Sequence, residues 1–143
     1  MDAVVSLCRV HDDDLPEGVE QIDVRLIDDV GSDDNANLDF VLTDTTRLIE
    51  QLRLEGRAAF LHCAAGQSRT PTVAALYGAR LRNVSADEAL REITAVIPRA
   101  YPNSAFRAAL QRLAAGHDPA ILSRQAARSH SCIPASEGQA TDD

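Results

Sequence analysis

The hydrophobic positions of the chain follow two alternating periods. Val4 to Val10 reads as a short buried strand, and Ile22, Val24 and Leu26 alternate with Asp23, Arg25 and Ile27 in the two-residue period of a second. After the Gly-, Ser-, Asn- and Asp-rich stretch DDVGSDDNAN, the apolar positions shift to helical spacing. Leu38, Val41, Leu42, Thr45, Leu48, Ile49 and Leu52 mark one helix face, and Gly56 is placed to stop it. Ala58 to His62 reads as a third strand. The following CAAGQSR cannot continue it, and TPTVAALYGARLRN returns to the helical pattern. Ser85 and Glu88 form a capping box ahead of a helix carrying Leu90, Ile93, Val96 and Ile97, which Pro98 ends. Asn103 is placed to cap a last helix with Phe106, Leu110 and Leu113, closed by Gly116.

Strands alternating with helices predict one α/β domain over residues 1–116, with ligand chemistry at the carboxyl ends of its strands. Cys63 stands at such an end. From His117 the periodicity fades into Ser, Ala, Gln, Gly and Asp, so residues 117–143 read as a flexible tail. A chain of 143 residues suits one folded domain with a true core, and the scarcity of aromatics means Leu, Val, Ile and Ala must build it.

The formal charge of −8, with acids crowded at Asp12 to Asp14, Asp28, Asp29, Asp33 and Asp34, argues against nucleic acid and anionic membranes as partners. The amino-terminal stretch has no basic region before a long apolar run, and no segment is long enough to span a bilayer, so a cytoplasmic location is expected. Cys8, Cys63 and Cys132 are odd in number and far apart, which predicts thiols rather than a disulfide framework. The scattered histidines and cysteines give no metal-ligand spacing, so no metal or other cofactor is expected. A monomer is expected.

The chemistry concentrates in LHCAAGQSRT. Between a strand ending at His62 and a helix starting near Arg69 or Thr70, the N–H groups of Ala64, Ala65, Gly66, Gln67 and Ser68 can curl around one anion. The helix start adds roughly half a positive charge, and the small side chains let backbone approach an oxyanion. With no phosphate bound, the same field acts on Cys63 and should make it a thiolate. Arg69 can grip two phosphate oxygens in a planar fork that lysine does not offer. A strand-end cysteine by itself is more often inert packing. The combination of His62, Cys63, Gly66, Arg69 and Thr70 at fixed spacing is what points to function.

HCAAGQSRT resembles the signature loop of the cysteine-dependent protein tyrosine phosphatases, and the small size resembles their dual-specificity branch. IPRAYPNSAFRAAL and VVSLC resemble further segments of that family, so the likeness covers roughly residues 4 to 115. The resemblance implies a mostly parallel sheet of four or five strands flanked by helices, and a two-step reaction through a phosphocysteine on Cys63 without a metal. It also implies that His62 orients the loop and that Thr70 steadies the leaving thiolate. The family's general acid is an aspartate after an upstream strand. Asp28, continuing the alternation of Val24 and Leu26, is the candidate and Asp29 the alternative, with Asp33 and Asp34 on the same loop.

Two rival readings stay open at this stage. One is a phosphate-recognition module with weak turnover, and the other a rhodanese-like sulfurtransferase, against which Arg69 and the helix directly after the loop argue. The loop carries no extra basic residue, which favours phosphorylated protein as partner: phosphotyrosine, with phosphoserine and phosphothreonine alongside.

Overall fold

The computed structural model of the protein describes residues 1–9, 15–31 and 35–116. Asp12 to Asp14, Asp33, Asp34 and residues 117–143, including Cys132, lie outside the described residues, as does the reading of the tail. Three strands, β1 (Ala3–Ser6), β2 (Glu20–Asp23) and β3 (Ala59–His62), form a parallel sheet in the order β2-β1-β3. This corrects the expected four or five strands to three among the described residues. The physical reason is visible in the pattern: every other apolar segment repeats at helical spacing and folds as helix.

β1 is the central strand and is buried along its whole length, as a strand paired on both sides and covered on both faces should be. It is shorter than the apolar run that encodes it. Leu7 N–H still donates to the His62 carbonyl at 2.9 Å, and the chain then bends away. β2 is likewise shifted toward the amino terminus relative to the Val24–Leu26 alternation. Val24 N–H adds one rung to the Ser6 carbonyl at 2.8 Å, after which β1 offers nothing to pair with.

Four helices complete the domain: α1 (Leu38–Leu54), α2 (Arg69–Arg82), α3 (Ala86–Val96) and α4 (Ser104–Ala115). In the strand register Val5 faces Ile22 and Leu61, and this face packs on Leu48, Ile49 and Leu52 of α1. α2 is the interior helix. Its Val73, Ala75, Leu76 and Ala79 are buried with Leu42 of α1, Ala89 of α3 and Phe106 and Leu110 of α4. Pro71 fits within the first turn of α2, where a missing N–H costs nothing.

The helix ends follow the local sequence signals. Gly56 adopts φ +72° while Arg57 N–H returns to the Leu52 carbonyl, and Asn83 at φ +54° does the same for α2 as Val84 N–H returns to Ala79. Ser85 Oγ accepts from Glu88 N–H at 3.2 Å, and Asn103 Oδ1 accepts from Phe106 N–H at 2.9 Å. Gly116 ends α4 without entering the left-handed region, its φ being −83°.

Candidate active site

β3 ends at His62, α2 begins at Arg69, and the six residues between them turn back beneath the helix start. Gly66, at φ +67°, supplies the one positive φ in this loop, a conformation that a β-carbon would strain. Its N–H donates to Cys63 Sγ at 3.3 Å. Cys63 is half-buried and packs against the core. Burial alone pushes its thiol pKa up. That effect is outweighed by the Thr70 hydroxyl, the Thr70 and Gly66 N–H groups and the Arg69 charge, which together hold it below the ordinary thiol value. The Thr70 hydroxyl is buried and reaches no partner at regular hydrogen-bond geometry, so it acts on the sulfur as a nearby oriented dipole.

Arg69 is held by its Nη1, which donates to the carbonyls of Leu7 at 3.1 Å and Leu26 at 3.2 Å. These two carbonyls lie just past the ends of β1 and β2, so the guanidinium closes the space beyond the carboxyl edge of the sheet. Its Nε–H is buried with no partner. One side of the fork is therefore anchored, while the Nε side retains donor capacity beside Cys63. Buried donors left unpaired cost about 1–3 kcal/mol each, and two of them around one thiol mark a place built for an anion.

His62 shares a 2.8 Å hydrogen bond between Nε2 and the hydroxyl of Ser6, a fully buried residue on the neighbouring strand, and stacks on Phe60 at a ring separation of 5.8 Å. It ties the loop's origin to β1. Ser68 is also committed to the scaffold: its hydroxyl accepts from Asn103 N–H at 3.0 Å, and its carbonyl accepts from both Thr72 N–H and Thr72 Oγ1. Ala64, Ala65 and Gln67 are exposed at the loop's outer side.

The two aspartates read as acid candidates occupy different settings. Asp28 lines an open pocket of about 370 Å³ together with Leu7, Cys8, Arg9, Arg25, Leu26, Ile27 and Arg69. Its Oδ1 accepts from Asn103 Nδ2 at 2.9 Å. Asp29 Oδ1 instead accepts from the N–H groups of Val30 and Gly31, at 2.6 and 3.2 Å, in a local turn. Asp29 lines a different depression, about 590 Å³ between the 29–31 loop, the start of α1 and α4. That depression contains neither Cys63 nor Arg69, and the chemistry follows the thiol rather than the volume.

Sequence reasoning missed Asn103 as more than a helix cap. Its side chain caps α4 and holds Asp28, while its N–H holds Ser68, so one residue joins the loop, the acid candidate and the last helix. Two adjacent signals, the Pro-Asn pair and the cap position, located it without revealing the contact across 75 residues of sequence.

Taken together, the geometry defines a class: a parallel α/β domain holding a cysteine with depressed pKa, a guanidinium and a glycine turn in one loop between a strand and a helix. Comparison with known proteins agrees. The family model for the dual specificity phosphatase catalytic domain matches residues 1–114, and the chain belongs to that family. Protein phosphatase Slingshot homolog 3 of Homo sapiens is 31% identical over 108 residues, covering 76% of this chain and 16% of the relative. Dual specificity protein phosphatase 1 of Arabidopsis thaliana is 28% identical over 108 residues, covering 76% of this chain and 50% of the relative. The chain thus spans half or less of the length of these two curated relatives. Among solved structures, human DUSP28 superposes with a TM-score of 0.67 at 25% identity, over 86% of this chain and 80% of that one. Tk-PTP in its active form superposes at 0.65 with 29% identity, over 80% and 79%. No helix among the described residues is long and apolar enough to cross a membrane.

Proposed function

We propose that this protein is a cysteine-dependent phosphatase that hydrolyses phosphomonoesters on proteins, phosphotyrosine first and phosphoserine or phosphothreonine alongside. The observation that carries the reading is the pair of unpartnered buried donors, Arg69 Nε and Thr70 Oγ1, gathered around a thiol whose pKa is lowered. Its action belongs in the cytoplasm, where a reactive thiol stays reduced.

In the first step the Cys63 thiolate attacks phosphorus. The P–S bond forms as the P–O bond to the substrate breaks, and the electron pair goes to the leaving oxygen, which takes a proton from the carboxyl group of Asp28. Arg69 and the N–H groups of the loop, Ala64 to Ser68, carry the charge on the non-bridging oxygens. In the second step water attacks phosphorus and gives its proton to the Asp28 carboxylate. The P–S bond breaks with its electron pair returning to sulfur, releasing inorganic phosphate. The Thr70 hydroxyl stabilises that departing thiolate. His62 keeps the loop's origin in register through Ser6. Asp28 is preferred over Asp29 because it shares a pocket with Arg69, whereas the carboxylate of Asp29 is occupied by its own turn.

The test is turnover of p-nitrophenyl phosphate by the reduced protein, inhibited by vanadate and abolished by Cys63→Ser. Asp28→Asn should lose more activity on a phosphotyrosine peptide than on the aryl ester, because the poorer leaving group needs the proton more; Asp29→Asn should not. A reduced wild type with neither turnover nor vanadate inhibition rejects the phosphatase reading.

A further inference from the structure

The connection between α3 and α4 runs along the rim of the Cys63 loop. Tyr101 N–H donates to the Gln67 carbonyl at 2.6 Å, and Asn103 N–H donates to Ser68 Oγ at 3.0 Å. Two successive loop residues are thus bonded to this connection, which fixes the side chains it carries beside the phosphate site. Arg99 lies closest: a β-carbon added to Gly66 would sit 3.5 Å from its Nη2. Among the described residues Arg99 pairs with no carboxylate.

Tyr101 is 70% exposed, a large aromatic side chain left mostly to solvent. It is nevertheless held, because the Arg107 guanidinium carbon stands 5.1 Å from the ring centroid. The cation covers one face and restrains the ring. Most of the side chain is left to solvent, and its backbone is bonded to the loop read above as the phosphate site.

We infer that Tyr101 and Arg99 form the specificity wall of the site, taking a phosphotyrosyl residue with an acidic neighbour. The substrate's ring lies against the exposed side chain of Tyr101, and a carboxylate flanking the phosphotyrosine pairs with Arg99. This rests on the phosphatase reading above and names its substrate class. A phosphotyrosine in the loop carries an aromatic ring out past the rim, where phosphoserine and phosphothreonine have only a short aliphatic link. An aromatic pair adds about 0.5–1.5 kcal/mol beyond its buried area, or about 2- to 13-fold. The exposed carboxylate pair with Arg99 adds a smaller, salt-sensitive increment.

Matched phosphotyrosine and phosphothreonine peptides, each with acidic or neutral flanks, test this against wild type, Tyr101→Ala, Tyr101→Phe and Arg99→Ala. Tyr101→Ala should lower kcat/KM for phosphotyrosine peptides about 3- to 10-fold, mostly through KM, and leave phosphothreonine peptides within about twofold. Tyr101→Phe should match wild type. Arg99→Ala should lower kcat/KM only for acidic peptides and flatten their salt dependence. The Gln67 contact uses the backbone of residue 101, so the alanine variant keeps it. Equal losses on both phosphoresidues, or no loss on phosphotyrosine, would overturn the inference. So would phosphoinositide vesicles being turned over faster than either peptide and indifferently to Tyr101→Ala. A wild type inert toward p-nitrophenyl phosphate would fail the phosphatase reading itself, and this inference with it; an active one isolates the wall.

Discussion

Asn103 should separate stability from catalysis when its bonds are removed one at a time. Its Oδ1 caps α4 through Phe106 N–H, and its Nδ2 holds Asp28. Asn103→Ala removes both. Losing an asparagine cap costs about 1 kcal/mol, which for a domain of this size lowers the thermal midpoint by roughly 4 °C. Asn103→Ser restores an oxygen that can cap the helix but leaves Asp28 without a side-chain donor, since the shorter hydroxyl cannot span the gap. The serine variant should therefore melt close to wild type. Its activity should fall with leaving-group difficulty: the hydrogen bond restraining Asp28 contributes about 0.5–1.5 kcal/mol, so the productive acid population drops about 2- to 13-fold. That loss stays below the hundred- to ten-thousand-fold that a general acid supplies in total, which Asp28→Asn should forfeit. The assay is kcat on an aryl phosphate and on a phosphotyrosine peptide, paired with thermal unfolding. Full activity of Asn103→Ser on the peptide, beside a crippled Asp28→Asn, would show that the 2.9 Å contact positions nothing.

Other outcomes follow from the same geometry. Thr70→Val removes the hydroxyl whose dipole helps to lower the Cys63 pKa. Alkylation of Cys63 by iodoacetamide at acidic pH should slow about tenfold while the rate at high pH is unchanged; identical pH profiles would remove Thr70 from the thiolate's support. Because the folded-state thiol is depressed below the ordinary thiol value of about 9, it contributes stability that is complete above the unfolded pKa and is lost as pH falls through the folded one. The unfolding free energy of wild type minus Cys63→Ser, from urea titrations, should accordingly rise with pH up to about that value, and a flat difference would contradict the depressed pKa. Glu50 and Arg80 join α1 to α2 through bonds of 2.7 and 3.2 Å, both side chains being under 15% exposed. Glu50→Gln should cost about 2 kcal/mol and roughly 8 °C in calorimetry, whereas Glu20→Gln at the exposed Arg57 pair should leave the midpoint nearly unmoved.

The reach of the sequence is clearest where a signal was local. The serine cap at residue 85, the asparagine cap at residue 103 and the glycine stop at residue 56 each involve partners within a few residues and appear in the structure; of the capping box read for Ser85 and Glu88 only the serine half is made. Strand lengths were less legible, because an apolar run says which residues can be buried but not where a neighbouring strand ends; β2 stops once β1 gives it no partner. The same limit applies to the site. The spacing from Cys63 to Arg69 lies within one loop and was readable, whereas the clamp of Arg69 on Leu7 and Leu26 spans 62 and 43 residues. Nothing in the pattern of either strand end announces that its carbonyl will be used this way. As sequence, Asp28 stood ahead of Asp29 only by continuing the alternation of Val24 and Leu26; the turn that consumes one carboxylate and the asparagine that holds the other separate them in the structure.

The net charge of −8 bears on this site less than the placement of a few charges near the loop. α1 and α3 carry Asp39, or Asp87 and Glu88, in their first turns, where acidic side chains satisfy a helix's positive end. α2 carries none there, and its N-cap Ser68 makes no side-chain cap bond. The helix most deeply packed in the core thus forgoes the stabilisation that two of its neighbours use. An acid in that turn would compete for the N–H groups of Gly66 and Thr70 and would repel both the thiolate and the phosphate. Leaving the position to Arg69, Thr70 and Pro71 keeps the helix field directed at Cys63. An aspartate introduced at residue 70 would therefore add a favourable helix-end charge while raising the Cys63 pKa, so stability and thiolate reactivity at this one position must oppose each other.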